Sequence, residues 1–268
     1  MDLISSTKLT AIYRYRGFIF SSVKREFDSR YRNSVLGPAW LVLNPLAQIL
    51  MFTLVFSQLM RTRLPGVESP FGYSIFLCAG LLTWGLFADI LNRSQNMFLD
   101  NANFLKKISF PRICIPIIVI LNSCLGFAII LSLFVGFLLI SGNFPGWIFF
   151  AIAPIILLQI FLAAGLGMFL GVLNVFFRDI GHLFGIVLQF WFWLTPIVYP
   201  FAVLPDWAQR IVMLNPMTPI MISYQGILVQ GLPPIWFSLF PAVLLACALC
   251  FFSALLFKRL IGEMVDEL

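Results

Sequence analysis

Side chains able to do covalent chemistry are scarce in this chain. It has one histidine, His182, and 11 Asp and Glu among 268 residues. One histidine at the edge of an apolar stretch cannot be assembled with the scattered acids into a nucleophile–base set. No catalytic residue and no metal site is therefore assigned. Cys247 and Cys250 have the CxxC spacing of redox and zinc motifs but lie in an apolar run without other soft ligands. All five cysteines (78, 114, 124, 247, 250) fall within apolar stretches and read as small packing residues, with no disulfide framework. No GxxxxGK[ST] occurs, so the chain does not itself cradle nucleotide phosphates and carries no cofactor of its own.

The remaining candidates bind rather than react. Asp89 and Arg93 are four residues apart in an apolar setting, so on a helix they share a face and neutralise each other. A structural pair and a transport role both fit. The segment FWFWLTPIVYP clusters Trp191, Trp193 and Tyr199. Such rings suit a membrane-interface belt, or a conduit on which sugar C–H faces stack, and the residues alone favour neither. In NMFLDNANFLKKISFPR (96–112), Asp100 is a candidate N-cap and Pro111 a stop. Phe104 and Leu105 beside Lys106 and Lys107 make an apolar knob in a basic setting, suited to docking a soluble partner or to a plain connector. GxxxG spacings at Gly167/Gly171 and Gly181/Gly185 permit close helix approach.

The elements that position these groups are membrane helices. Hydrophobic residues are 61% of the chain, charged residues only 10%, and mean hydropathy is +0.99. A soluble domain carries about 25% charged residues. Long apolar runs exclude a β-barrel, and the grouping of the bases argues against nucleic acid as the reason for a net charge of +6. The fold expected is an all-α polytopic membrane protein in one domain, residues 1–268. Six spans are expected, over 36–60, 73–95, 113–140, 147–173, 182–199 and 234–257. Fourteen Lys and Arg fall in the N-terminal segment, alternate gaps and the tail; Arg61, Arg63 and Arg210 fall on the other side. The positive-inside rule places both termini in the cytoplasm. About 35 mostly polar residues precede the first span and hold seven Lys or Arg, which is not the layout of a cleavable signal.

Two segments do not span. Within residues 1–35, Leu9, Ile12, Tyr13, Phe20, Val23, Phe27 and Tyr31 recur at steps of three and four among bases. That pattern predicts a basic amphipathic helix on the inner leaflet, with Gly17 a soft point; a simple solvated face is the alternative. Residues 200–233 are apolar but broken by Pro200, Pro205, Pro216, Pro219, Gly226 and Gly231. They read as re-entrant or interfacial helices on the outer face, or as an outer loop.

Taken in order, RYRNSVLGPAWLVLNPLAQILMFTLVF (31–56), NFLKKISFPRICIPI (103–117), FFRDIGHLF (176–184), LTPIVYPFAVLP (194–205) and NPMTPIMISYQGIL (215–228) resemble type-2 ABC transporter permeases for polysaccharide export. The likeness is greatest to O-antigen permeases, with capsule and teichoic-acid permeases as relatives. The resemblance implies a homodimer in the bacterial inner membrane, joined to two copies of a separate cytoplasmic ATPase that holds ATP and Mg. It implies export of a lipid-linked polysaccharide. Asn103, Phe104, Lys106 and Lys107 would couple to the ATPase. Arg25, Arg30 and Arg32 would meet the substrate's diphosphate or anchor the helix to anionic lipid. Phe52, Phe56, Trp191, Trp193 and Tyr199 would line a channel between the first and fifth spans. An ion-coupled carrier is the competing class, but it calls for internal repeats and more intramembrane charge than one Asp–Arg pair.

Overall fold

In the computed structural model, residues 15–31, 37–59, 69–106 and 112–267 are described, and among them every regular element is helical. In chain order these are α1 (Arg16–Tyr31), α2 (Trp40–Phe52), α3 (Gly72–Asp100), α4 (Ala102–Leu105) and α5 (Cys114–Ile140). They continue as α6 (Ile152–Phe176), α7 (Asp179–Leu194), α8 (Asp206–Met213), α9 (Met217–Gln225) and α10 (Phe240–Glu267).

Among the described residues, four helices are long and apolar enough to cross a membrane: Gly72–Asp100, Cys114–Ile140, Gly146–Phe176 and Trp236–Glu267. They match four of the six predicted spans. The stretches 36–60 and 182–199 form shorter apolar helices, Val42–Phe56 and Asp179–Leu194. The second of these stops because Thr195, before Pro196, is extended, as a residue preceding proline prefers. The first carries Pro45 inside α2 and passes into a wider π-type turn over Thr53–Leu59. Prolines 116 and 154 instead fall in the first turns of α5 and α6, where no intrahelical N–H is lost.

α3 is the central element, packed by α5, α6, α7 and α9, while α10 lies along α6. The close approach of α6 to α3 depends on glycine. A Cβ on Gly167 would stand 2.6 Å from Ser94 Cβ, and one on Gly171 2.5 Å from the Ser94 carbonyl oxygen. The Gly181/Gly185 spacing has no such role, since a Cβ on Gly185 would meet nothing within 4 Å. Many large apolar side chains on α5, α6, α7 and α10 point outward, the reverse of a water-soluble fold.

The segment 200–233 is broken, as its prolines and glycines predict, and much of it is covered by protein. α8 and the Met217–Gln230 piece are bent by 108° at a short break; counted as one element, the pair would make a fifth span. Met217, Thr218, Ile220, Met221, Tyr224 and Ile227 are fully enclosed by protein. Protein cover is what allows so broken a backbone to sit among apolar helices.

Candidate functional site

α1 is a helix through Gly17, its second residue. The face it packs is Ile19, Ser22 and Val23, set against Cys114, Ile117, Ile118 and Leu121 of α5. Phe20, expected on the apolar stripe with Val23, is 69% exposed. It lies one position away from the 19–22–23–26 ridge that meets α5, so the true contact stripe is narrower than the apolar pattern. Leu9, Ile12 and Tyr13 lie outside the described residues.

One turn further on, Glu26 reaches two helices at once. Its Oε1 accepts from Arg93 Nη1 of α3 at 2.8 Å, and its Oε2 accepts from Asn122 Nδ2 of α5 at 2.6 Å. Arg93 Nε donates to Asp89 Oδ1, also at 2.8 Å. The predicted Asp89–Arg93 contact is therefore present, but it is part of a four-residue network over three helices. Arg93 uses separate nitrogens of its guanidinium fork for the two carboxylates, a geometry lysine cannot supply.

This network divides two pockets. The lower one, about 440 Å³, is lined by Phe18, Ser22, Arg25, Glu26, Arg93, Asp100 and Phe104, among others. It joins the two basic clusters that are far apart in sequence, since Phe18 of α1 meets Phe104 of α4 edge to face at 6.2 Å. The upper pocket, about 430 Å³, lies between α2, α3 and α5 and takes Asp89 and Asn122 into its wall.

The docking knob is smaller than the sequence suggests. Leu105 is 1% exposed and packs with Met97, Phe98, Ile115 and Phe257, so it is not part of an exposed surface. Asp100 is the last residue of α3 rather than an N-cap; Asn101 occupies that position, without a side-chain cap. Asn103 and Lys106 are exposed, and Phe104 is half-buried. Lys107 and Pro111 lie outside the described residues. Arg25 is exposed at the pocket rim and Arg30 belongs to the last turn of α1, while Arg32 lies outside the described residues.

The aromatic candidates fall into two groups. Phe52 and Phe56 begin a run of rings, Phe52–Phe56–Tyr73–Phe76, with centroids 5.2–6.4 Å apart. Tyr73 Oη donates to the Val198 carbonyl at 3.0 Å and so ties this run to the segment after α7. Trp191 packs edge to face on Trp84 and Phe87 and donates its indole N–H to Asn215 at 2.7 Å. Trp193 is 60% exposed, and Tyr199 Oη donates to its carbonyl oxygen. Within one protomer α2 packs on α3 and α5, whereas α7 packs on α3 and α6.

Several residues of consequence escaped the sequence reading. Asn215 accepts from Trp191 and from the Met217 N–H, and donates to Thr195 Oγ1 at 2.8 Å, pinning the α8–α9 bend to the end of α7. Gln225, which follows Tyr224 where similar permeases tend to carry a base, is buried and donates to the Pro196 carbonyl at 2.9 Å. Asn122, Asn44 and Gln48 are polar residues in apolar company, which is the available signal, whereas Glu26 lies among Lys24, Arg25 and Asp28 and carries none. Among the described residues no group of three or more His, Cys, Asp or Glu could hold a metal. His182 is exposed on α7. The arrangement can bind, brace and transmit motion; nothing in it pairs a nucleophile with a base.

Comparison with known proteins adds a family to this geometry. The model of the ABC-2 type transporter family matches residues 18–229. An O-antigen export system permease protein of Myxococcus xanthus is 31% identical over 218 residues, 81% of this chain and 82% of that one. A protein of the same description from Klebsiella pneumoniae is 29% identical over 221 residues, 80% of this chain and 83% of its own.

Proposed function

This chain belongs to the ABC-2 type transporter family, and from that premise we propose that it is the membrane subunit of an ATP-driven polysaccharide exporter. Its substrate is a lipid-linked polysaccharide, O-antigen, carried from the cytoplasm to the periplasm across the bacterial inner membrane. The observation that carries this reading is the match, over about four-fifths of both chains, to relatives named as O-antigen export permeases.

The working unit in this reading is two copies of the chain with two copies of a separate ATPase, which binds ATP and Mg. The bilayer is crossed six times with both termini inside; α2 and α7 serve as the first and fifth spans and α8–α9 as a re-entrant pair. The ATPase bears on Asn103, Phe104, Lys106 and Lys107. Phe104 passes the push to Phe18 on α1, and α4 follows α3 directly, so one thrust reaches both the surface helix and the central helix. Arg25, Arg30 and Arg32 meet the substrate's diphosphate, whose oxygens suit guanidinium forks. The polymer leaves between α2 and α7 of facing protomers, over Phe52, Phe56, Trp191, Trp193 and Tyr199. Weak repeated stacking suits a long polymer, because one deep site would stall it.

Removing the chain from its host tests the proposal. Surface polysaccharide should disappear and lipid-linked polymer should accumulate inside the cell. Persistence of the surface polymer without internal accumulation would overturn it.

A further inference from the structure

The upper pocket is built differently from the aromatic stretches. Trp40, Asn44, Gln48 and Phe52 follow one another every fourth residue along α2, and all four line it. At 1.5 Å per residue they form a single ridge about 18 Å long, with aromatic rings at both ends and amides between. α3 adds Asp89, and α5 adds Asn122, Ser123 and Phe127. Five polar side chains from three apolar helices thus converge on one cavity of about 430 Å³.

Their hydrogen-bonding capacity is largely unused. Ser123 is 3% exposed and its buried Oγ has no partner. Asn122 gives its N–H to Glu26, and its carbonyl oxygen has no donor among the described residues. Asn44 and Gln48 form no side-chain hydrogen bond among the described residues, although the amides of Asn174, Asn215 and Gln225 all do. Asn122 and Ser123 are buried, where a polar group is costly unless something meets it, whereas Asn44 and Gln48 are exposed along the open side of the cavity. Among the described residues no Lys or Arg lines the cavity, and the neighbouring Arg93 is held by Asp89 and Glu26, so they offer an anion no free positive charge there. Amides and a hydroxyl, which both donate and accept, with a carboxylate that accepts, flanked by ring faces, match a neutral hydroxyl-bearing group with apolar C–H faces.

We infer that the pocket between α2, α3 and α5 is a binding site for a neutral sugar unit, recognised within a single protomer and separated by the Glu26–Arg93–Asp89–Asn122 network from the basic pocket below. This rests on the export reading, and the pocket adjoins the proposed channel, with Phe52 lining both.

The test uses the permease with its ATPase in nanodiscs of phosphatidylethanolamine. Phe52 is replaced by the photoreactive p-benzoylphenylalanine. Two tritiated probes are compared, a polyprenyl diphosphate bearing a disaccharide and the same polyprenyl diphosphate without sugar. The sugar-bearing probe should be captured about tenfold more, the selectivity that one or two hydrogen bonds supply. N44L/Q48L should lower its capture about tenfold and S123A about threefold, for the same reason. Leucine favours membrane insertion over the amides it replaces, so misfolding is not the expected route of loss; unchanged gel-filtration profiles check this. Equal capture of both probes would overturn the proposal, because the pocket would then be reading the lipid. So would capture that N44L/Q48L leaves intact, or capture of phosphatidylglycerol, added in a separate arm, that the sugar-bearing probe does not displace. Normal export by a strain carrying N44L/Q48L would remove this pocket from the route while leaving the export reading in place. Surface polysaccharide persisting in a strain without the chain would remove the export reading itself.

Discussion

The two pockets at either side of Arg93 are nearly equal in size and opposite in chemistry. In the lower wall the central charges are matched, since Arg93 has two carboxylates and Glu26 has both Arg93 and Asn122, although the Ser22 hydroxyl there has no partner. In the upper pocket the amides of Asn44 and Gln48 and the hydroxyl of Ser123 are unmatched. A matched polar group in an apolar setting is a fastening, and its removal costs stability. An unmatched one is a vacancy for a ligand, and its removal costs binding while leaving the fold alone.

The comparison breaks most visibly at Arg93. Arg93→Ala leaves two carboxylates facing each other across a gap. Loss of one partner from a fully buried pair costs about 3–5 kcal/mol, and with these groups partly exposed about 1–3 kcal/mol is expected. The purified complex should melt several degrees lower, and an unchanged melting temperature would mean that the network is not a fastening. Phe104→Ala is next. Loss of the edge-to-face contact with Phe18 and of half-buried apolar area should cost about 1–2 kcal/mol. The more telling reading is transmission: the complex should hydrolyse ATP while surface polysaccharide falls severalfold. If export and hydrolysis fall together, Phe104 is a docking contact and not a link to α1. Glu26→Gln keeps the shape and most of the hydrogen bonds but removes the negative charge that faces Arg93, so about 1 kcal/mol is expected. The N-terminal helix should then become more accessible to protease, and unchanged cleavage would argue that Ile19 and Val23 suffice to hold it. Smallest of all for stability should be N44L/Q48L, within about 0.5 kcal/mol of the parent or slightly more stable. A drop as large as that of Arg93→Ala would dissolve the distinction between the pockets.

Much of this architecture could be read from residue order. Four spans, the helix near the N-terminus, the Asp89–Arg93 contact and the broken character of 200–233 follow from apolar run length, i,i+4 spacing and proline placement. What the pattern misjudged was depth. Phe20 faces outward and Leu105 inward, although both looked alike as apolar residues beside bases. Tyr224 and Met221 are fully buried in a segment for which proline and glycine left a re-entrant helix and an outer loop both open. Periodicity says which side of a helix is apolar, but not whether lipid or protein covers that side.

The sequence by itself determined that the chain is a helical membrane protein, where its main helices run, and which residues are chemically unusual within them. Those are properties of short stretches, set by hydropathy and backbone geometry. Only the tertiary structure decided that Glu26, 67 residues from Arg93 and 96 from Asn122, holds α1 to α3 and α5. It alone decided that Asn44, Gln48 and Ser123 share one cavity. In a membrane helix position along the chain sets how much an amide costs; whether it becomes a fastening or a vacancy depends on what the neighbouring helices bring to within 3 Å of it.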